Sequence, residues 1–157
     1  MARATGSVAP ATGARVLGDD YSFRVPAGWR DYTKQLDDDR VDRAAASTRG
    51  SRSSVNVILT DQSITNGQID AVLQTIRGEI LPTAPAYEVL PERTVAGARA
   101  GHLAGLRTQD GAKYWLEQFV FGHGAHTYIV SFSFSPMVRE RVRSRTIDSI
   151  LATWRWR

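Results

Sequence analysis

The stretch KYWLEQFVFGHGAHTYIVSFSF, residues 113–134, has the pattern of a β-hairpin. The glycine-containing segment at 122–125 separates two runs of strand-forming residues. In the first run Tyr114 and Trp115 are neighbours, so both faces of that strand carry an aromatic ring. A strand with two apolar faces is covered on both sides. We therefore predict that residues 113–134 form a long central antiparallel hairpin, with the C-terminal helix packed across it.

The rest of the chain is predicted to supply five more strands and two helices. Period-two alternation indicates the strands, and one apolar face at i, i+3, i+4 spacing indicates the first helix. The predicted strands are 21–25, 41–47, 54–60, 87–95 and 98–108, and the predicted helices are 66–81 and 136–153. Pro136 suits the first turn of the second helix. The predicted fold class is α+β, with an antiparallel sheet of about six to seven strands covered by helices.

Length and composition favour one folded domain. The chain has 157 residues, and the small and polar residues at 1–14 predict a flexible lead-in before a single domain at 15–157. The absence of cysteine excludes disulfides and thiolate chemistry. The sequence contains no stretch of about 18 apolar residues, which is the length needed to span a membrane. We expect a cytoplasmic protein if Met1 is the native start, and an exported or cell-envelope protein if a signal has been removed.

The charge pattern does not indicate a nucleic-acid-binding protein. The formal net charge is +4, and 18 of the 20 basic residues are Arg. These Arg residues are spread along the sequence, whereas a nucleic-acid-binding surface gathers them on one element. We therefore expect no nucleic-acid partner.

Several segments, taken in order, carry a family resemblance. They are 21–29 (YSFRVPAGW), 95–100 (VAGARA), 114–121, 128–134 and 147–154. Together they resemble the PsbP/Mog-type/DcrB-like α/β/α sandwich superfamily, and within it the bacterial LpqN-type lipoproteins and DcrB-like proteins. The resemblance implies a non-enzymatic binding, adaptor or chaperone-like accessory role, without a shared set of functional residues. The chain departs from the lipoprotein pattern because it has neither a signal segment nor a lipobox cysteine.

Three histidines and one strand carboxylate are the candidates for metal binding or catalysis. His102, His123 and His126 are predicted to be loop and rim residues that hold no metal. Glu117 has no second carboxylate at a predictable spacing, and neither a nucleophile elbow nor a phosphate-binding loop occurs. We therefore predict no catalytic, cofactor-binding or metal-binding residues, and no enzymatic activity.

Two groups of residues are candidate partner contacts. If the last helix continues past its buried stripe, Trp156 lies about 200° around from that face, between Arg155 and Arg157. An exposed tryptophan beside arginines is typical of interface hot spots. The alternative is an unwound end that folds Trp156 onto the sheet. Arg49 and Arg52 lie in a polar hairpin tip that could bind a phosphate or an acidic peptide, or could be an ordinary turn.

Two functions stay open at this point. The first is an adaptor that recognises a protein partner or a second copy of itself. The alternative is an exported lipoprotein-type domain that binds an apolar or amphipathic ligand between sheet and helix. The alternative is motivated by four small residues along one strand that leave room at the sheet surface: Ala100, Gly101, Ala104 and Gly105.

Overall fold

The computed structural model describes residues 8–50 and 53–157. Within them the strands are β1 Arg15–Leu17, β2 Tyr21–Arg24, β3 Trp29–Asp31, β4 Val41–Ser47, β5 Ser54–Leu59, β6 Glu88–Val95, β7 Ala98–Gln109, β8 Ala112–His123, β9 His126–Phe134 and β10 Arg155–Trp156. The helices are α1 Ile69–Ile80 and α2 Glu140–Leu151, with short 3₁₀ turns at Thr33–Gln35 and Asn66–Gln68.

Seven strands form an antiparallel sheet in the order β3-β4-β5-β9-β8-β7-β6. β9 is the middle strand of this sheet. It pairs with β8 over its whole length, with Phe134 opposite Trp115 at one end and His126 opposite His123 at the turn. The predicted central hairpin is therefore present. The predicted α+β fold class, with a mainly antiparallel sheet and helices on its faces, is confirmed.

Both faces of this sheet carry a packed apolar layer, as the adjacent aromatic residues of the hairpin predict. On one face, side chains of α2 and β2 meet those of β5, β8 and β9. On the other face, α1 packs over β7 and β8. Side chains along β8 consequently alternate between two cores: Phe119 and Phe121 belong to the first, and Leu116 and Val120 to the second.

A second, three-stranded sheet has the order β1-β2-β10, and the sequence did not predict it. The predicted strand 21–25 is observed as β2, but it belongs to this small sheet, and β3 takes the edge position of the main sheet. The rings of Tyr21 and Phe23 stack on Trp154 at centroid distances of 4.9 and 5.2 Å. This aromatic stack joins the small sheet to the core beneath α2.

The C-terminal helix is shorter than predicted at both ends. Residues 136–138 form a turn, and Arg139 has an extended backbone, so the helix begins at Glu140 and not at Pro136. It ends at Leu151, because the next residues turn and form β10, which pairs with the edge of β2. Helical periodicity alone gives no sign of that distant edge.

Part of the predicted flexible lead-in packs on the domain. Ala11 is buried, and its N–H donates to the Ser149 carbonyl at 2.9 Å. The Gly13 N–H donates to the Val25 carbonyl at 2.8 Å, and a Cβ at position 13 would lie 2.4 Å from that oxygen, so glycine permits the approach. Ordered packing therefore begins by Ala11, before the predicted boundary at residue 15. Residues 1–7 lie outside the described part of the chain.

Replacing Phe132 with Ala should lower the free energy of unfolding by about 3–5 kcal/mol through the cavity it leaves. Phe132 is fully buried, and its ring lies edge-on to that of Phe119 at 5.9 Å. Urea denaturation followed by circular dichroism measures the change. Met137→Ala is the control, because Met137 is 87% exposed. A loss below about 1 kcal/mol for Phe132→Ala would contradict the placement of β9 in the core.

Candidate functional site

α1 covers only part of its face of the sheet. It packs over β6, β7 and β8 and buries Ile69 and Leu73 there. Beyond α1, strands β4, β5 and β9 present the side chains that alternate with those buried on the α2 side. These side chains are small, polar or partly exposed: Ala44, Ala46, Ser54, Asn56, Ile58, Ile129, Ser131 and Ser133. Ala44 and Ser131 are buried and the others are partly exposed, so this face is incompletely covered beside α1.

A groove of about 780 Å³ lies at the border between α1 and this incompletely covered part of the sheet. α1 forms one wall of the groove, residues 60–64 form the outer wall, and β9 forms the floor. The apolar lining residues are Ile64, Ala71, Val72, Ile76 and Ile129. Val72 and Ile76 belong to the apolar stripe of α1 but are only partly buried, because they face the groove. The volume lies within the range of small-molecule sites.

The outer wall of the groove, residues 60–64, is fixed to the sheet by hydrogen bonds. The Thr127 hydroxyl donates to the Gln62 carbonyl at 2.6 Å and accepts from the Ile64 N–H at 3.0 Å. Gly122 lies directly beneath, where a Cβ would come within 2.4 Å of the Ile64 carbonyl oxygen. The wall approaches the sheet this closely because residue 122 has no side chain, so the groove has a fixed width.

A row of polar side chains continues the floor of the groove along the sheet. Asn56, Ser131 and Gln118 are opposite one another on β5, β9 and β8. The Tyr87 hydroxyl donates to Gln118 Oε1, and Gln118 Nε2 donates to Ser131 Oγ at 2.9 Å. Burial raises the pKa of Tyr87 above its ordinary value, which keeps this phenol protonated as a donor.

Asn56 differs from the other members of this row. Its Oδ1 atom is buried and has no hydrogen-bond partner within residues 8–50 and 53–157. Leaving a buried acceptor without a partner costs about 1–3 kcal/mol. Asn56 does not itself line the groove, but its strand partner Ser131 is two residues from the lining residue Ile129, so Oδ1 is an acceptor on the same sheet face.

The charged residues that line the groove are acidic. They are Asp61 on the outer wall and Glu79 on α1, and the lining contains no Arg or Lys. Polar contacts at the rim also come from Thr60, Gln62 and Gln68. This rim favours a bound group that donates hydrogen bonds or carries positive charge, and it disfavours phosphates and carboxylates.

The histidines are arranged differently from the prediction. His102 is buried, contrary to the predicted rim position, and its Nε2 lies 3.1 Å from Glu117 Oε1 beneath α2. His123 and His126 pair across the hairpin turn, and His126 Nδ1 lies 2.8 Å from the Thr60 carbonyl oxygen. In the described part of the chain, no three potential ligands gather as a metal site requires.

Trp156 does not continue the helix, so the basis for its predicted exposure is wrong. It lies in β10 opposite Tyr21, and its ring stacks on His123 with 3.7 Å between centroids. Its Nε1 donates to the Ala96 carbonyl at 3.0 Å. The observed arrangement is the alternative in which the end unwinds and the indole folds onto the sheet, where it is half-buried.

The four predicted arginine contacts lie in two separate regions. Arg155 donates to the Trp154 carbonyl at 2.8 Å, and Arg157 donates to the Gly18 carbonyl at 2.9 Å, so both guanidinium groups have backbone acceptors near Trp156. Arg49 is exposed in the β4–β5 tip at the other end of the β8–β9 hairpin. Arg52 lies outside the described residues. Partner binding by either group stays a prediction.

The small residues of β7 do not leave the room expected of them. A Cβ at Gly101 would lie 2.7 Å from the Leu73 side chain, and one at Gly105 would lie 2.9 Å from Tyr87 Cα. Ala100 and Ala104 are buried. These positions permit close packing of α1 and the segment before β6. The observed groove lies two strands away, where Thr127 and Ile129 of β9 line it.

No family model and no curated protein matches the sequence. Among solved structures, the chain is similar to a cyanobacterial PsbP from Synechocystis, with TM-score 0.58, 15% identity, and coverage of 97% of this chain and 96% of that one. It is similar to LpqN of Mycobacterium tuberculosis, a protein involved in cell envelope biogenesis, with TM-score 0.58, 16% identity, and coverage of 91% and 89%. The protein has a PsbP/LpqN-like fold.

A protein from Bacteroides thetaiotaomicron is also similar, with TM-score 0.57 and 12% identity. This chain aligns over 87% of its own length but spans only 45% of that protein. These likenesses confirm the predicted superfamily resemblance at the level of the fold. Separately, neither helix within residues 8–50 and 53–157 has the length and apolar character needed to cross a bilayer.

Replacing Trp156 with Ala should lower the free energy of unfolding by about 2 kcal/mol, because a half-buried ring and its Nε1 hydrogen bond are lost. Thermal and urea denaturation measure this loss. Leu17→Ala is the control, since Leu17 is an exposed residue of the same small sheet. Unchanged stability with weaker association in sedimentation would instead support the predicted partner contact.

Proposed function

We propose that the protein is a non-enzymatic accessory protein that binds an amphipathic molecule in the groove between α1 and the sheet. The observation that carries this proposal is an apolar groove on the same sheet face as the buried, unpartnered Oδ1 of Asn56, whose strand partner Ser131 is two residues from the lining residue Ile129. Small-molecule sites combine a mostly apolar lining with a few placed polar groups. Each end of the ligand then has a counterpart in the site.

The apolar end of the ligand lies against Val72, Ile76 and Ile129. These side chains are partly exposed in the free protein, although two of them belong to the apolar stripe of α1. Covering them removes apolar surface from water at roughly 25 cal/mol per Å². The outer wall at 60–64 is held by Thr127, so little ordering of the backbone accompanies binding.

The polar end of the ligand is a hydroxyl-rich or cationic group. Asn56 Oδ1 accepts a hydrogen bond from it, and the carboxylates of Asp61 and Glu79 lie at the rim. An anionic head group would meet two like charges without a basic residue in the lining. A neutral glycosylated or a cationic amphiphile therefore fits the site, and a fatty acid or a phosphorylated amphiphile fits it less well.

Two further observations support a binding role. The groove lining contains Ser63 but no histidine that could act as its base, which favours binding over hydrolysis. The role stated for the similar protein LpqN, in cell envelope biogenesis, supports an envelope setting and an exported chain. Recognition of a protein partner, the first function predicted from the sequence, stays a prediction.

Replacing Ala71 with Trp should fill the groove and weaken binding of a neutral amphiphile by at least about tenfold. Ala71 is exposed and lines the groove. Calorimetric titration with dodecyl maltoside below its micelle concentration measures the affinity. Gln74→Trp is the matched control, because Gln74 is an exposed residue of the same helix outside the groove lining.

The same titration with dodecyl phosphate tests the head-group preference. We expect dodecyl phosphate to bind at least about tenfold more weakly than dodecyl maltoside, because of Asp61 and Glu79. Equal affinity for both compounds, or equal effects of Ala71→Trp and Gln74→Trp, would show that the amphiphile binds elsewhere and would overturn the proposal.

Replacing Asn56 with Val should stabilise the free protein by roughly 1 kcal/mol while weakening dodecyl maltoside binding, because the variant removes a buried acceptor that has no partner. Valine also suits a strand position. Thermal denaturation and titration of the same samples measure both effects. Ser133→Val, on the same face of the neighbouring strand β9, is the control for strand propensity. A lower stability for Asn56→Val would mean that Oδ1 already has a partner in the free protein.

A further inference from the structure

The start of α2 concentrates positive charge on one surface. Residues 139–145 contain four Arg against one Glu, a net charge of +3 in a chain whose total is +4. Most other arginines are spread along the sequence, but the expected dispersal does not hold at 139–145. Arg141 and Arg145 are four residues apart and lie opposite the buried Ile147 and Ile150, so both side chains point outward.

Two exposed apolar side chains lie among these arginines. Met137, in the turn before α2, is 87% exposed, and Val142 is 52% exposed. We call the surface formed by Met137, Arg139, Arg141, Val142 and Arg145 the α2 basic face. It combines protruding apolar side chains with cations, which is the composition of surfaces that bind at a membrane interface.

The arrangement is unfavourable for the isolated protein. Cations near a helix N-terminus oppose the helix dipole, and like charges at i and i+4 repel each other. Within the described residues, the side chains of Arg139, Arg141 and Arg145 form no ion pair or hydrogen bond. A local arrangement that breaks these rules without internal compensation is characteristic of functional surfaces.

Arg143 is the exception, and it shows how the face is held in place. Its guanidinium lies 4.2 Å from the centroid of the Trp115 ring, and it donates to the Val138 carbonyl at 2.8 Å. These contacts fix the turn that carries Met137 to the first turn of α2. The α2 basic face is therefore held in a fixed position by the contact between Arg143 and Trp115 of β8.

We propose that the α2 basic face binds an anionic lipid surface peripherally. Arg139, Arg141 and Arg145 contact the lipid head groups, and Met137 and Val142 enter the boundary between head groups and acyl chains. Charge complementarity carries the proposal. A nucleic acid would also match the charge, but it offers no apolar layer to Met137 and Val142, so a lipid surface is the better match.

This surface is separate from the proposed ligand groove. α2 and α1 lie on opposite faces of the main sheet. The groove adjoins Thr127 and Ile129 at the start of β9, whereas α2 follows the other end of that strand. The groove thus stays open when the α2 basic face lies on a membrane, and each proposal can fail without the other.

Vesicle co-sedimentation of the full chain tests the proposal. We expect binding to phosphatidylcholine vesicles that contain phosphatidylglycerol, and little binding to phosphatidylcholine alone. The double variant Arg141→Glu/Arg145→Glu should bind the anionic vesicles at least about tenfold more weakly, since each basic residue near such a surface contributes about fivefold. The double variant Arg30→Glu/Arg40→Glu makes the same change of net charge on exposed residues elsewhere and should retain binding.

A second pair of variants tests the apolar contribution. Met137→Ser/Val142→Ser should weaken the binding that persists at high salt, whereas Leu17→Ser/Val89→Ser, at exposed apolar positions elsewhere, should not. The Arg141→Glu/Arg145→Glu variant should melt at the wild-type temperature or above it, because both positions are exposed, the i, i+4 repulsion is unchanged in size, and a carboxylate near a helix N-terminus is favoured by the helix dipole. This melting curve separates loss of binding from loss of folding.

Three results would overturn the proposal. The first is equal loss of vesicle binding in the Arg30→Glu/Arg40→Glu control, which would indicate a net-charge effect. The second is no binding to anionic vesicles under conditions where duplex DNA binds and Arg141→Glu/Arg145→Glu abolishes that binding, which would assign the face to nucleic acid. The third is no binding to the anionic vesicles at low salt by the folded wild-type chain.

Discussion

Burial of both faces of the β8–β9 hairpin is the constraint on which the other layers depend. Phe119 and Phe121 face one side of β8, and Leu116 and Val120 face the other, so neither face can be left to water. α2 and the small sheet cover the first face, and α1 covers part of the second. The part that α1 leaves uncovered has small and polar side chains, and this change in side-chain type along one sheet face creates the groove.

Local patterns predicted the elements well, and contacts between distant residues account for what they missed. The β4 and β5 strands, α1 and the four-strand meander follow from alternation, helical spacing and turn residues such as Asp110-Gly111, where both residues have positive φ. The small sheet could not be predicted, because β10 forms only where the edge of β2 is available to pair with it. Trp156 was misplaced for the same reason.

The candidate site was less predictable than the fold. Gly101 and Gly105 suggested open space, but neighbouring side chains fill it, and the real groove depends on where the 60–64 segment meets the sheet. Likewise, most of the arginines are spread along the sequence, and the cluster at 139–145 was not predicted to form a surface. The helix brings Arg141 and Arg145 to one side, and the start of α2 at Glu140 leaves Met137 exposed beside them. Each of these properties arises from three-dimensional packing between segments.

The closing of the small sheet has a consequence for the order of folding. β2 is synthesised long before β10, which pairs with its second edge, and the Arg24 N–H donates to Thr153 Oγ1, 129 positions along the chain. Contacts of such high sequence separation form late and slow the folding of a domain. During synthesis on the ribosome, Tyr21 and Phe23 therefore lack their stacking partner Trp154, and the second edge of β2 stays unpaired until β10 has been synthesised.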